Sequence, residues 1–420
     1  MNYLIIGNSA AGVGGIEGIR SVNKNDNITV ITDEPYLAYS RPLISYYLAD
    51  KVKFQNMNYR SKSFYEKNNV NLNQGNKAVK LNTDKKDILL NNGQKINYDK
   101  LLLTTGGKPF VPPIKGSDKS NIYTFLKIDD VKNIKNYIEK TNSKQVIILG
   151  GGLIGLKAAE AFIKKGLKVT VIELADRILN AILDKKAAFL MKSYLQNKGV
   201  EFYLSDTIES FQGKQKVNKV NLKSGKNLRC DLVVIAVGVR PNLSLVEDNN
   251  IDYNNGILVN KKLQTSYKDI YAAGDVCEGY NMLSGSTGVV PIWPNAYNQG
   301  FTAGQNMAGG NEIYQENFAR NSISFFDIPL ITAGTINPEQ EDDYEIYRNI
   351  DKDNFIYKKI LVKDNKLAGF ILLNKVDRAG ILTGLIKEQI NIKDIKNTLL
   401  SKELELLSLN ESLRKEKILN

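Results

Sequence analysis

A chain of 420 residues is longer than one hydrophobic core can serve, so two or three domains are expected. It is 42% hydrophobic and 24% charged, and no stretch reaches the eighteen uninterrupted apolar residues of a membrane span, so it reads as soluble and globular with no membrane partner. With no histidine and only two cysteines, Cys230 and Cys277, it excludes Ser-His-Asp and Cys-His catalysis, histidine-ligated haem, cysteine-rich metal sites and most catalytic zinc. No metal is expected.

The net charge of +12 favours acidic partners, phosphate-bearing ligands or nucleic acid. Eleven Lys/Arg and four Asp/Glu fall between Lys51 and Lys100, dispersed rather than blocked. Scattered lysines read as a solvated surface rather than a docking face, and no nucleic-acid contact is expected. Met1 leads directly into the apolar run Tyr3–Ile6, which lacks a basic leader and is cut by Gly7. That run is a strand, not a secretory signal, and few cysteines fit a reduced, cytoplasmic setting. Richness in Lys, Asn, Ile and Tyr points to an A+T-rich coding sequence and a bacterial source.

Along the chain one local grammar occurs twice. Tyr3–Ile6 is followed by Gly7-Asn8-Ser9-Ala10-Ala11-Gly12, a helix of small residues, and the strand Ile28–Thr32 with Asp33 and Glu34 at its end. Later, Gln145–Leu149 feeds Gly150-Gly151-Gly152-Leu153-Ile154-Gly155, then the helix Leu156–Lys165 and the strand Lys168–Ile172 ending at Glu173. Strand, glycine turn and helix in this order build a dinucleotide site. The first glycine makes the turn, the second admits a pyrophosphate, the third lets helix and strand close up, and the helix N-terminus faces the phosphates. An acid about twenty residues on accepts hydrogen bonds from ribose hydroxyls. Glu173 takes that role in the second copy and favours NADH over NADPH. In the first copy Ser9 replaces the middle glycine and Thr32 stands where the acid usually ends the strand, so Asp33 is the expected ribose ligand with Glu34 as its understudy. Two copies in one chain imply two dinucleotides, FAD held and NAD(H) exchanged.

Three further segments carry a resemblance. Tyr98-Asp99-Lys100-Leu101-Leu102-Leu103-Thr104-Thr105-Gly106-Gly107-Lys108-Pro109, Asp231 through Asn242 with Val237-Gly238, and Thr265-Ser266 with Ile270-Tyr271-Ala272-Ala273-Gly274-Asp275 resemble the ordered motifs of the pyridine nucleotide-disulfide oxidoreductase superfamily. Tyr39-Ser40-Arg41-Pro42-Leu43 resembles the segment of its NAD(P)H-rubredoxin reductase and nitrite reductase flavin-domain subgroup. The resemblance implies an α/β fold with two Rossmann-like domains, and a small C-terminal α+β interface domain. It also implies FAD contacts at Gly7, Ser9, Ala10, Ala11, Gly12, Asp33, Glu34, Arg41, Pro42, Val79, Thr105, Gly106, Gly274, Asp275 and Ile292. NAD contacts are implied at Gly150, Gly152, Leu153, Ile154, Gly155, Glu173 and Gly238. Arg41 would meet FAD phosphate through its planar fork. Disulfide reductases carry CxxxxC after the first helix, and no cysteine stands in the first two hundred residues here. Electrons would therefore leave the flavin directly.

Trp293, in Ile292-Trp293-Pro294-Asn295-Ala296, resembles the segment that brings an aromatic ring against the flavin, although a lone tryptophan also suits a core. Phe325-Phe326-Asp327 is either the aromatic approach of the C-terminal domain or plain core. The subgroup usually has a glutamate where Lys157 stands, paired with a lysine where Tyr46 or Tyr47 stands. Lys157 is read either as the positive charge that stabilises reduced flavin or as a helix lysine in water.

The motifs place the FAD domain at 1–112 and 244–310, the NAD domain at 113–243 and the interface domain at 311–420. Within the last, Tyr344–Tyr347, Asn354–Val362 and Leu367–Leu373 are expected as antiparallel strands, Ala379–Lys387 and Ile392–Leu407 as helices, and the tail Asp394–Asn420 as an amphipathic helix. The expected function is an NADH oxidoreductase that passes electrons to an acidic rubredoxin- or ferredoxin-like carrier. The alternatives are the diaphorase component of a nitrite reductase-like system and a non-catalytic flavin-binding redox sensor. A homodimer stays open.

Overall fold

The computed structural model describes residues 1–315 and 318–400. The chain divides into two compact units. The first is Met1–Phe110 with Leu126–Ile128 and Val239–Phe318; the second is Val111–Phe125 with Asp129–Gly238 and the residues from Ala319 on. The motif-based boundaries, which separate a NAD domain from a C-terminal domain, cross this division: 126–128, 239–243 and 311–318 fall in the first unit and 111–112 in the second.

The first unit is built on a five-stranded sheet in the order Ile270–Ala272, Lys100–Leu103, Asn2–Ile6, Asn27–Thr32, Val70–Gln74, and all four pairings are parallel. The second repeats the arrangement with Ile122–Thr124, Leu232–Ile235, Gln145–Leu149, Lys168–Glu173 and Val200–Leu204. Both central strands read as unbroken apolar runs because parallel sheets are covered on both faces. Leu101, Leu102, Leu103 and all of Leu232–Ile235 are buried. The strand order reverses beside the first strand of each copy, which is where an open α/β sheet leaves its ligand crevice.

The duplication extends to details. Asp99 accepts the Asn2 backbone N–H at 2.7 Å, and Asp231 accepts those of Lys144 and Gln145 at 2.7 and 2.9 Å. The aspartate before each inner strand thus fixes the start of its neighbour. Each copy also inserts a three-stranded antiparallel meander before that aspartate, Ala78–Asn82, Asp87–Leu90 and Lys95–Asn97 in one, Ile208–Gln212, Lys219–Leu222 and Asn227–Arg229 in the other. Val79 lies at a register shift in the first meander and is exposed.

The C-terminal part of the second unit is an antiparallel sheet in the order Arg320–Phe325, Ile328–Gly334, Lys366–Leu373, Ile356–Lys363, Glu345–Asp351, with the helix Ala379–Glu388 packed on it. The three expected strands are there, preceded by a hairpin whose turn is Phe326-Asp327. Phe326 takes a left-handed φ of 54°. Phe325 is completely buried. Phe326 lies beneath the ammonium groups of Lys164 and Lys198, at 5.1 and 5.8 Å from its ring centre. Of the helix expected at Ile392–Leu407, Lys393–Thr398 winds as a 3-10 turn. Residues 401–420, and with them most of the expected tail helix, lie outside the described residues. Among the described residues no helix is long and apolar enough to cross a membrane.

A buried lysine ties this sheet to the rest of the unit. Lys359 is 1% exposed, and its Nζ lies 3.4 Å from Asp184 Oδ2, 3.4 Å from Glu341 Oε1 and 3.1 Å from the Ile336 carbonyl. Tyr357 donates to the same Asp184 carboxylate at 2.5 Å, while Asp184 also caps the helix Lys185–Asn197 by accepting the Ala187 N–H at 2.9 Å.

Candidate functional site

Each cradle begins where a central strand turns into its helix. In the first unit Gly7 has φ +115°, and a Cβ there would lie 2.2 Å from the Thr104 carbonyl oxygen, so only glycine fits. Ser9 is the extended N-cap of the helix Ala10–Val22, and its hydroxyl makes no capping bond. Gly12 faces the turn so closely that a Cβ would sit 2.2 Å from the Gly7 oxygen. The first-turn N–H groups of this helix, those of Ala10 and Ala11 among them, have no intrahelical acceptors.

Around this turn the expected FAD residues fall as follows. Asp33 is paired with Lys127 at 2.8 Å near the surface. Glu34, buried, accepts Arg41 Nη2 at 2.5 Å on one oxygen and the Tyr39 hydroxyl at 2.7 Å on the other. Tyr39 in turn accepts the Ile128 N–H at 3.0 Å, and Arg41 Nη1 reaches the Leu126 carbonyl at 3.4 Å. Two N–H groups of the guanidinium are thus used by the described residues, which leave three of its five donors over. Pro42 opens the 3-10 turn Arg41–Leu43. Thr105 donates to the Asn242 carbonyl at 2.9 Å beside Gly106, which has φ +64° and open space where a Cβ would be. Gly274 donates to Gln299 Oε1 at 2.8 Å. Ile292 is the N-cap of the helix Trp293–Met307, and the Trp293 ring meets Tyr59 edge-on at 5.1 Å.

Three polar groups here want a ligand. Among the described residues the buried Asn8 Nδ2 and Ser45 Oγ have no hydrogen-bond partner. The Asp275 carboxylate has no hydrogen-bond partner among the described residues; burial raises its pKa above the ordinary carboxylate value, with Arg41 pulling the other way. Donors at the turn and an acceptor beyond Gly274 are what a pyrophosphate and a polyol chain require.

The second cradle is cleaner. Gly150 repeats the φ of +115° seen at Gly7, and a Cβ on Gly155 would lie 2.0 Å from the Gly150 oxygen. Gly152, N-cap of the helix Leu153–Lys164, has nothing within 4 Å of its Cβ position, as does Gly238. Leu153 and Ile154 form the first turn. Glu173, at the end of its strand, accepts the Gly151 N–H at 2.6 Å and the Ala175 N–H at 2.8 Å. A carboxylate has about four lone-pair sites, so about two stay open to the hydroxyls of a ligand. Glu173→Gln should raise the KM for NADH by about tenfold, the scale of losing charge-assisted hydrogen bonds. The NADH-to-NADPH ratio of kcat/KM should fall with it; initial rates with both nucleotides check this, and an unchanged ratio would remove Glu173 from the nucleotide site.

Lys157 does not stand in water. Its side chain is 13% exposed, held by Glu160 Oε2 at 2.5 Å and by the Ser324 carbonyl at 3.0 Å. Burial pushes the Glu160 carboxyl up, but Lys157 and Lys164 outweigh it and keep the group below its ordinary pKa.

Both thiols are out of play as nucleophiles. Burial pushes Cys230 and Cys277 up to about 12, and Cys277 Sγ lies 3.4 Å from Gln299 Oε1. At pH 8 only about one thiol in ten thousand is then ionised. An aromatic disulfide reagent should titrate none of the two cysteines in the folded protein at pH 8 and both in denaturant; rapid reaction of either in the native state would contradict this burial.

Residues 1–300 match the family model described as pyridine nucleotide-disulphide oxidoreductase, and residues 320–390 match the rubredoxin NAD+ reductase C-terminal domain. The chain belongs to the pyridine nucleotide-disulphide oxidoreductase family. It is thus one of the FAD- and NAD(H)-using flavoproteins, with an α/β fold and a C-terminal domain of the rubredoxin reductase kind. It is 32% identical over 390 residues to the assimilatory nitrate reductase electron transfer subunit of Bacillus subtilis, covering 92% of this chain and 49% of that one. It is 30% identical over 373 residues to the NADH-rubredoxin oxidoreductase of Clostridium acetobutylicum, covering 89% and 91%. Among solved structures it resembles an NAD-dependent persulfide reductase from A. fulgidus, with a TM-score of 0.87 and 26% identity over 94% of this chain and 79% of the other. The chain spans about half the length of its Bacillus relatives.

The clamp that Tyr39 places on Glu34 is not legible in the sequence, where Tyr39 stands only as the first residue of its motif. Nor are the positions of Lys127 and Asn8 at this site. Asn8 stood inside the glycine turn, where a polar side chain between two small residues was the available signal.

Proposed function

We propose that the protein oxidises NADH at the second cradle and delivers the electrons, through FAD held in the first, to a small acidic redox protein of the rubredoxin type. What supports this reading is that one chain carries two strand–glycine turn–helix units while both of its thiols are buried, which argues against a sulfur relay. FAD supplies, when bound, acceptance of a hydride and release of single electrons. The balance is one NADH and two oxidised carriers giving NAD+, one proton and two reduced carriers. The matched C-terminal segment supports the rubredoxin reading.

Within this reading the chain's own groups bind and orient. The free N–H groups after Gly7 and the spare donors of Arg41 hold phosphate, Asp275 accepts from the polyol, and Ile292 and Trp293 border the ring system. Gly150, Gly152 and the helix behind them hold the second pyrophosphate, with Glu173 on its ribose. Lys157 acts on the flavin only if its charge is felt beyond Glu160; an unchanged flavin potential and reduction rate in Lys157→Ala would reject that role. A cytoplasmic location fits the two free thiols.

The test is anaerobic. NADH should bleach the yellow protein and then reduce rubredoxin catalytically, while dithiol and disulfide substrates are not turned over. Protein that purifies colourless and takes up no FAD would end the proposal. Coverage of most of the chain by half of the B. subtilis electron transfer subunit favours a second reading, a diaphorase component that feeds a larger nitrate or nitrite reductase. Reduction of a sirohaem partner in place of rubredoxin would select it. A redox sensor would show bleaching without turnover with either partner.

A further inference from the structure

The surface of the first unit carries an aromatic cluster that extends from Trp293, and within it only Trp293 is proposed to border the cofactor. Tyr59 meets the Trp293 edge, and Arg60 stacks over both Tyr59, at 4.3 Å from the ring centre, and Phe64, at 5.4 Å. Tyr297 and Phe301 stack one turn apart on the Trp293 helix at 6.3 Å. Glu17 holds the group together, taking Arg60 at 3.1 Å and the Tyr297 hydroxyl at 2.5 Å. These aromatic rings are half-buried: Phe64, Trp293 and Tyr297 pack one side against the core of the first unit and leave the rest partly exposed. Rigid Trp, Tyr and Arg side chains in one half-exposed cluster are the composition of a binding hot spot.

The same stretch is basic. Of the charged groups at this cluster, Lys53, Arg60, Lys62 and Lys67 stand against Glu17, which holds Arg60, and Glu66, which pairs with Lys62, 4 − 2 = +2. Lys53, Lys62 and Lys67 are exposed, Lys62 to 84% of its side chain. Lys62 and Lys67 stand on the same short helix as Phe64, and Lys53 precedes the 3-10 turn Phe54–Met57 that leads to Tyr59.

The patch also abuts the first cradle. The helices Ala10–Val22 and Trp293–Met307 run parallel and nearly touch. A Cβ on Gly300 would lie 2.0 Å from the Ala11 oxygen, and one on Gly18 would lie 2.0 Å from the Phe301 oxygen. Trp293, at the start of its helix, therefore stands beside the turn that opens the first.

We infer that the surface formed by Tyr59, Arg60, Phe64 and Trp293 within the Lys53, Lys62 and Lys67 rim is where an acidic electron-carrier protein docks. The inference rests on the proposed function and names the face its acceptor uses. A second copy of this chain is a poorer occupant, because a two-fold contact would set the same lysines against each other. Opposite charge on the carrier instead steers the encounter.

The test compares holoenzyme with the Lys62→Glu/Lys67→Glu variant, using rubredoxin and ferricyanide as acceptors. Neither lysine belongs to a cradle, so flavin content and ferricyanide reduction by NADH should stay within about twofold of the wild type. The KM for rubredoxin at low salt should rise by about tenfold or more, and its salt dependence should flatten. An unchanged rubredoxin KM with unchanged salt dependence would overturn the docking face while leaving the function intact. Failure of the wild type to reduce rubredoxin at any salt, with ferricyanide still reduced, would overturn the acceptor reading beneath it. A dimer in the wild type that the variant dissolves would give the face to a second copy and reject the proposal.

Discussion

Gly152→Ala should leave the protein yellow and as heat-stable as the wild type, yet weaken NADH binding by about tenfold or more, whereas Gly155→Ala should lose both stability and NADH. The two glycines stand three residues apart in one turn and meet different obstacles. At Gly152 the backbone is extended with φ −81°, which alanine adopts freely, and its Cβ would meet no protein atom within 4 Å. A methyl there intrudes only on what binds. At Gly155 the Cβ would lie 2.0 Å from the Gly150 carbonyl, so helix and strand must move apart. Overpacking of this kind costs about 1–3 kcal/mol and deforms the phosphate turn as well, for a loss of about 100-fold in NADH affinity. Equilibrium titration of the flavin charge-transfer band, with a thermal melt of each variant, separates the two. A Gly152→Ala protein that binds NADH normally would mean that the pyrophosphate does not approach this turn.

Lys359→Ala should be the most damaging single change outside the cradles, lowering the stability of the second unit by about 3–5 kcal/mol. The ammonium is almost fully covered and answers Asp184, Glu341 and the Ile336 carbonyl together. Its removal leaves Asp184 with only the Tyr357 hydroxyl and the Ala187 N–H to offset a charge that is itself largely enclosed. For a unit of this size the shift amounts to roughly 6–20 °C in its melting transition. Flavin content should be unaffected, because the first cradle belongs to the other unit. Lys359→Met, which keeps the volume, should recover part of the loss. If calorimetry finds the Ala variant within about 1 kcal/mol of the wild type, the network contributes nothing beyond a surface ion pair.

How far these features were legible in the sequence varies with their physical range. The two glycine turns were fully readable, because turn, phosphate approach and helix contact are all set within six residues. Glu173 was readable from its distance along the chain, but its grip on the Gly151 N–H was not. In the first copy Thr32, Asp33 and Glu34 gave no unique acid. Glu34 is committed to Tyr39 and Arg41 because Leu126–Ile128 returns to that unit, a contact that no local pattern encodes. The two meanders were missed since strands of three to five residues rich in Lys and Asn carry little alternation. Phe325 could be core or ligand contact on sequence grounds, and the hairpin decides for core. Lys359 had a signal that went unused. In Ile356–Lys363 alternation puts Tyr357, Lys359 and Leu361 on one face, and a lysine on an inward face demands a charged partner elsewhere.

Trp293 is the only tryptophan in the chain, and it stands beside the first glycine turn in contact with Tyr59. Excitation at the red edge of the protein band therefore interrogates one side chain in one place. If the proposed cofactor and docking sites hold, its emission intensity should report flavin loading in the first unit, and its shift on adding a carrier protein should report the neighbouring face, with no label attached.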